Sequence, residues 1–116
     1  MKVKRIVPNF AATDVAKAKQ FYADVLGLEV VMDQGWIVTL AASGKMAPQI
    51  TIASEGGSGT AVPDISVEVD DLDEVLRRVS EFGLAVEYGP TSEPWQVRRF
   101  YVRDPLGRLV NILVHE

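Results

Sequence analysis

The sequence predicts an α+β fold built from two tandem βαβββ modules, and three observations carry that prediction. Two amphipathic helix patterns are each preceded by one strand signal and followed by three. Each helix pattern begins at an aspartate, Asp14 or Asp71, and stops at a glycine, Gly27 or Gly83. The segment "LGLEV" at 26–30 returns as "FGLAV" at 82–86, so the chain echoes itself at nearly constant offset.

The first strand signal is "KVKRIVPNF". The helix "TDVAKAKQFYADVLG" follows, with Val15, Ala18, Phe21 or Tyr22, and Val25 at steps of three and four, and Thr13 and Asp14 as cap candidates. Strands "LEVVMD", "WIVTLAA" and "QITIA" complete the first module. "DISVEV" opens the second, and its helix "DDLDEVLRRVSEFG" carries Leu72, Val75, Leu76, Val79 and Phe82 as the apolar stripe, with Asp71 and Glu74 at capping-box-like spacing. "LAVEY", "VRRFYV" and "RLVNILV" are the last three strands. Between the modules, "SEGGSGTAVP" reads as a flexible connector. A phosphate-cradling loop is the rival for its glycines, but no helix start follows them as such a loop requires. The expected organisation is one domain over 1–116, with module one at 1–54, a linker at 55–62 and module two at 63–116.

A chain of 116 residues with 47% hydrophobic and 24% charged residues has the balance of one globular domain. Twelve Lys plus Arg against sixteen Asp plus Glu leaves a formal charge of −4, which argues against nucleic acid as a partner. The absence of cysteine excludes disulfides, thiolate metal sites and a cysteine nucleophile. No stretch has the length of an apolar membrane span, and "MKVKRIVPNF" lacks the apolar core of a signal peptide. The expectation is a cytoplasmic protein without a membrane partner.

With "FYADVLGLEV" in the first module and the "F-x-V-x-D-P-x-G" turn of "RRFYVRDPLGRLVNIL" in the second, the chain resembles the vicinal oxygen chelate superfamily. That superfamily holds glyoxalase I, extradiol dioxygenases, fosfomycin-resistance enzymes and bleomycin-resistance proteins. The resemblance implies a cupped mixed sheet with helices on its convex face and the ligand on its concave face. It also implies a homodimer.

Period-two alternation then assigns faces. Val110, Ile112 and Val114 are expected to pack on a helix, leaving Leu109, Asn111 and Leu113 toward the cup. Phe100 and Val102 likewise take the helix side, with Arg99 and Tyr101 opposite. Metal-binding relatives carry a glutamate seven residues after the aspartate of the D-P-x-G turn, and here that position is Asn111. Their other metal positions fall on Val7, on Asp64 and on Gln49. Valine cannot bind a metal, and the set offers one carboxylate and two neutral amides where a catalytic ion takes three or four His or carboxylate donors. The expectation is no metal and no cofactor.

Asn9 beside Val7 and Ser66 beside Asp64 extend the expected lining. Tyr101 matches a tyrosine position of fosfomycin-resistance active sites, or is a half-buried strand tyrosine. "YGPTSEPWQVRR" reads as a long connection resembling the family's "P-W-G-x-R", with Gln96 in place of glycine. Trp95 there is either an aromatic lid over the cup or a dimer-interface residue, with Arg98 or Arg99 beside an anionic or π-rich ligand. Trp36 is expected to pack, and His115, one residue from the C-terminus, to be solvated. Asp64 and Tyr101 are the candidates for any catalytic role, and a buried Asp64 would suit a general base.

Three functions follow. The first is metal-independent binding or sequestration of an apolar or aromatic small molecule, similar to bleomycin-resistance proteins. The second is a lyase, isomerase or dioxygenase with an atypical metal site or Asp64 as base. The third is an oligomerisation scaffold whose cup is filled by side chains.

Overall fold

The structure, a computed structural model, describes residues 1–44 and 48–116. Its elements run β1 (Val3–Ala11), α1 (Val15–Gln20) continued by a π-helical turn (Phe21–Val25), β2 (Glu29–Asp33), β3 (Ile37–Ala41), β4 (Gln49–Ala53), β5 (Ile65–Val69), α2 (Leu72–Phe82), β6 (Val86–Glu93), β7 (Val97–Arg103) and β8 (Leu109–His115). This is the βαβββ order twice over, and the α+β class stands. The chain divides into two compact units, Val7–Val62 and Pro63–Glu116, the latter with Met1–Ile6. Those first residues, expected with module one, are tied to the end of β5 and its neighbours. Arg5 Nε lies 3.1 Å from Glu68 Oε1, and the Lys2 amide donates to Asp70 Oδ1 at 2.7 Å. The second contact holds the Asp70 carboxyl below its usual range.

In the unit Val7–Val62 the strand order is β2-β3-β4-β1, with β1 parallel to β4 and the other pairs antiparallel. Alternation puts Val38, Leu40 and Ile52 on one face, where Val15, Ala18 and Tyr22 of the helical segment cover them. Asp14 caps α1 by accepting from the Lys17 amide at 3.0 Å. Of the alternatives Phe21 and Tyr22, Tyr22 packs and Phe21 is exposed, while Val25, expected in the apolar stripe, is exposed and Ala23 packs in its place. The π-helical turn is the cause, because its wider ring rotates the residues after it relative to a 3.6-residue period. Downstream, the connector proves to be a hydrogen-bonded turn. Gly56 N donates to Thr60 O at 2.8 Å, Thr60 N to Gly57 O at 3.0 Å, and the Thr60 hydroxyl to the same carbonyl at 2.7 Å. Gly57, Ser58 and Gly59 all take positive φ, which explains the glycines without a phosphate.

In the unit carrying residues 63–116 the order is β5-β8-β7-β6, with β5 parallel to β8 and the rest antiparallel. Phe100, Val102, Ile112 and Val69 form the core under α2, packed by Leu72, Val75, Leu76 and Val79. Asp71 caps α2 through the Glu74 amide at 3.1 Å. Phe82, assigned to the apolar stripe, is 71% exposed. The helix closes with Gly83 at φ 88° and the Leu84 amide on the Val79 carbonyl, so Leu84 packs on the core instead.

The D-P-x-G turn has a clear physical role. Asp104 Oδ1 accepts from the amides of Leu106 and Arg108, each at 2.9 Å, and Gly107 takes φ 83°. That turn fixes the β7–β8 register, which pairs Tyr101 with Asn111 and Arg99 with Leu113.

The β6–β7 connection differs from its expected form. β6 runs on to Glu93, so the link is the short turn Pro94–Trp95–Gln96 and not a long loop. Gln96 adopts φ 70°, the conformation that glycine would supply in the related motif. Among the described residues no helix is long and apolar enough to cross a membrane.

Candidate functional site

On the face of its sheet opposite α2, the unit carrying residues 63–116 presents two cross-strand rows. One runs Ser66, Asn111, Tyr101, Tyr88; the other runs Glu68, Leu113, Arg99, Thr91. Both follow from strict alternation once Phe100, Val102 and Ile112 are committed to the helix side.

Arg99 is the centre of this face and is 3% exposed. Its Nη2 and Nε donate to Glu93 Oε2 at 2.8 and 3.2 Å, and its Nη1 donates to the Tyr101 hydroxyl at 3.1 Å. Tyr88 donates its hydroxyl to Glu93 Oε1 at 3.0 Å. Three rings surround the guanidinium, with centroids 5.4 Å (Tyr88), 5.1 Å (Trp95) and 5.0 Å (Tyr101) from Cζ. Cation–π attraction therefore supplements a buried ion pair. Arg98, weighed beside Arg99 from sequence, points to the other side and reaches Asp73 of α2 at 3.3 Å.

One strand over, Asn111 is 7% exposed and donates Nδ2 to Ser66 Oγ at 3.1 Å. Its Oδ1 is buried and has no hydrogen-bond partner among the described residues. Leu109 and Leu113 flank it on the same strand face and are buried. Asp64 lies just before β5, and its Oδ2 accepts from the Leu109 amide at 2.8 Å. The residue is exposed, and the Arg99 partner weighed for it is taken by Glu93. Desolvation of a buried Asp64 thus loses its footing.

The unit Val7–Val62 has its own face opposite α1. Val7 is buried there, Asn9 and Gln49 are half-buried, and Thr39 and Thr51 share a 2.7 Å hydrogen bond between their hydroxyls. Trp36 is half-buried at the start of β3 and accepts the Ser54 amide on its carbonyl at 3.0 Å. His115 is exposed, 3.6 Å from Glu68.

The four positions that the resemblance assigns to a metal are Val7, Gln49, Asp64 and Asn111. Among the described residues no three His, Asp or Glu side chains gather to hold an ion. With one valine and two amides in that set, the donors do not fit a transition metal.

Sequence reasoning missed Tyr88 and Glu93. The strand "LAVEY" ends at Tyr88 and "YGPTSEPWQVRR" reads as a long connection, so neither residue was placed on the site face. The signal was present in "EPWQV", a turn short enough to set Glu93 opposite Val97.

Paired βαβββ modules, each with its helix on one face of its sheet, joined to a D-P-x-G turn between the last two strands, define a repeat-built α+β protein with polar groups on the opposite faces. The family model of the Glyoxalase/Bleomycin resistance protein/Dioxygenase superfamily matches residues 3–112, and the chain belongs to that superfamily. Solved structures agree with the fold. A Legionella pneumophila structure described as NAD-dependent benzaldehyde dehydrogenase is similar at TM-score 0.80 and 17% identity, covering 97% of this chain and 100% of that one. A superfamily member from Vibrio splendidus 12B01 is similar at TM-score 0.71 and 23% identity, covering 99% and 100%. Streptomyces coelicolor methylmalonyl-CoA epimerase is similar at TM-score 0.72 and 17% identity, covering 98% and 96%. The search of curated proteins found no match.

Proposed function

We propose that this chain binds an apolar or aromatic small molecule without a metal and acts by sequestering it, in the manner of bleomycin-resistance proteins. The carrying observation is the Arg99–Glu93 pair enclosed by Tyr88, Trp95 and Tyr101. Its opposite charges pair at 2.8 Å, and the Tyr88 and Trp95 rings beside it are half-buried, so this face offers ring surface without an unpaired charge. None of the three nearby carboxylates is arranged as a free base: Glu93 accepts from Arg99 and Tyr88, Glu68 pairs with Arg5 at 3.1 Å, and Asp64 is exposed and accepts a backbone amide. Titration of the purified protein with an aromatic ligand, followed by tryptophan emission, tests the reading. Trp95→Ala is expected to weaken binding by about 1–3 kcal/mol, as loss of a buried aromatic anchor does. Unchanged affinity would remove Trp95 from the site.

The rival reading is an enzyme of the lyase, isomerase or dioxygenase type, and the likeness to methylmalonyl-CoA epimerase is what favours it. Turnover that requires Asp64, measured against Asp64→Asn, would establish it.

A homodimer in a cytoplasmic setting completes the proposal. Val7, Leu109 and Leu113 are buried within the chain and cannot supply the dimer surface. Ile6 and Phe10, on one face of β1 and 61% and 52% exposed, are better grounds. Sedimentation is expected to give a dimer at micromolar concentration, and a stable monomer would contradict it.

A further inference from the structure

The outer side of the first helical segment carries apolar surface that its own unit leaves in water. Phe21 is 45%, Val25 69% and Leu26 58% exposed. Single exposed apolar residues are ordinary, but a contiguous run of them marks a contact surface. Lys17, Phe21 and Val25 follow at steps of four along that side, and all are exposed. Before Phe21 the surface is recessed: a groove of about 650 Å³ runs between residues 11–13 and the flank of α1 at Lys17, Ala18 and Phe21. After Phe21 it protrudes, at Val25 and Leu26. Charge divides the same way. Lys19 is committed to Asp33 at 3.0 Å. Lys17 on the recessed side and Asp24 on the protruding side are exposed and have no ion-pair partner among the described residues.

From this self-complementary stripe we propose that the face is an interface between two copies of the chain, packed antiparallel about a two-fold axis at Phe21. The axis lays Val25 and Leu26 of each copy over the groove of the other. It also brings Lys17 of one copy to Asp24 of the partner subunit on both sides of the Phe21 pair. A foreign protein would need only one half of this arrangement, whereas recess and protrusion, cation and anion, stand here on opposite sides of one residue. Phe10, 52% exposed, pairs with Ile52 beneath α1 and so lies on the same face of the sheet. The inference rests on the dimer reading above and assigns its surface.

Sedimentation equilibrium of the full chain tests it. Lys17→Glu and Asp24→Lys, each at an exposed position and checked for folding by its melting curve, set like charges together at both ends of the interface. Each is expected to raise the dimer dissociation constant about tenfold. Mixed one to one, the two variants are expected to form a heterodimer as tight as the unaltered dimer, because the new charge of each meets its opposite on the other. Single variants that dimerise as tightly as the unaltered chain would overturn the assignment and leave a dimer through another surface. Folded single variants that weaken the dimer and are not rescued by mixing would overturn the Lys17–Asp24 pairing and the two-fold with it. A chain that stays monomeric at micromolar concentration would overturn both this inference and the dimer reading, leaving the face to a different partner.

Discussion

Arg99→Met is expected to destabilise the protein by about 3–5 kcal/mol, because it strands the Glu93 carboxylate in a buried position. The two side chains are each 4% exposed, so water cannot replace the guanidinium. At about 4 °C per kcal/mol for a domain of this length, the melting temperature falls by roughly 12–20 °C. Glu93→Gln added to Arg99→Met removes the stranded charge and is expected to recover most of that loss. The recovery separates charge burial from lost packing, since the methionine is common to both variants. Thermal melting of the three proteins checks it. A single variant that melts within 3 °C or so of the unaltered protein, on the same scale, would show that the pair is not buried as described.

Gly89→Ala is expected to be nearly as damaging. Gly89 sits in β6 at φ 79°, and a Cβ built there meets the Arg99 carbonyl oxygen at 2.5 Å and Phe100 Cα at 3.2 Å. Both neighbours are backbone of β7, so neither side chain motion nor a rotamer change relieves the overlap. The alanine must also enter the left-handed region at about 1–2 kcal/mol. A total of about 3 kcal/mol or more follows when the strand is forced aside. Gly35→Ala is the control. Gly35 has φ 84° with nothing within 4 Å of a built Cβ, so it carries only the conformational cost. Equal melting temperatures for the two alanine variants would mean that β6 and β7 do not approach as closely as the structure has them.

The contrast between these two variants shows what the sequence could reveal. Strands β5, β7 and β8 were legible because apolar residues alternate, and the faces of Phe100, Val102, Ile112 and Asn111 follow from a period of two that no tertiary contact alters. Both helix caps were legible because an aspartate capping a backbone amide is a local device. The π-helical turn was not, because the pattern through Phe21 and Val25 fits an ordinary helix and only packing against β3 and β4 shows the rotation. Gly89 fell in the stretch read as a connection, whereas the structure has it in β6 where β7 approaches closely.

Within the candidate site, Asn111 was found by counting from Asp104, a separation fixed by one turn and one strand. The partner of Arg99 was not, since Glu93 reaches it from β6 across a turn whose glutamine takes a conformation usually left to glycine. The setting of Asp64 was left open by the sequence for a related reason. Position seven residues before Asp71 says which strand it precedes, but not that its carboxylate would turn to the Leu109 amide at the strand end.

The central claim is that binding on this face needs no metal, and the most direct test is the melting temperature of the purified protein with and without added Zn²⁺, Mn²⁺ or Fe²⁺. A native site at a hundredfold excess over its dissociation constant stabilises the folded state by about 2.7 kcal/mol. For a domain of this length that is a rise of roughly 10 °C. The account predicts no measurable shift with any of the three ions, because Val7 supplies no donor and Asn111 only a neutral oxygen. A rise of about 10 °C with one ion, saturating at one equivalent per chain, would contradict it.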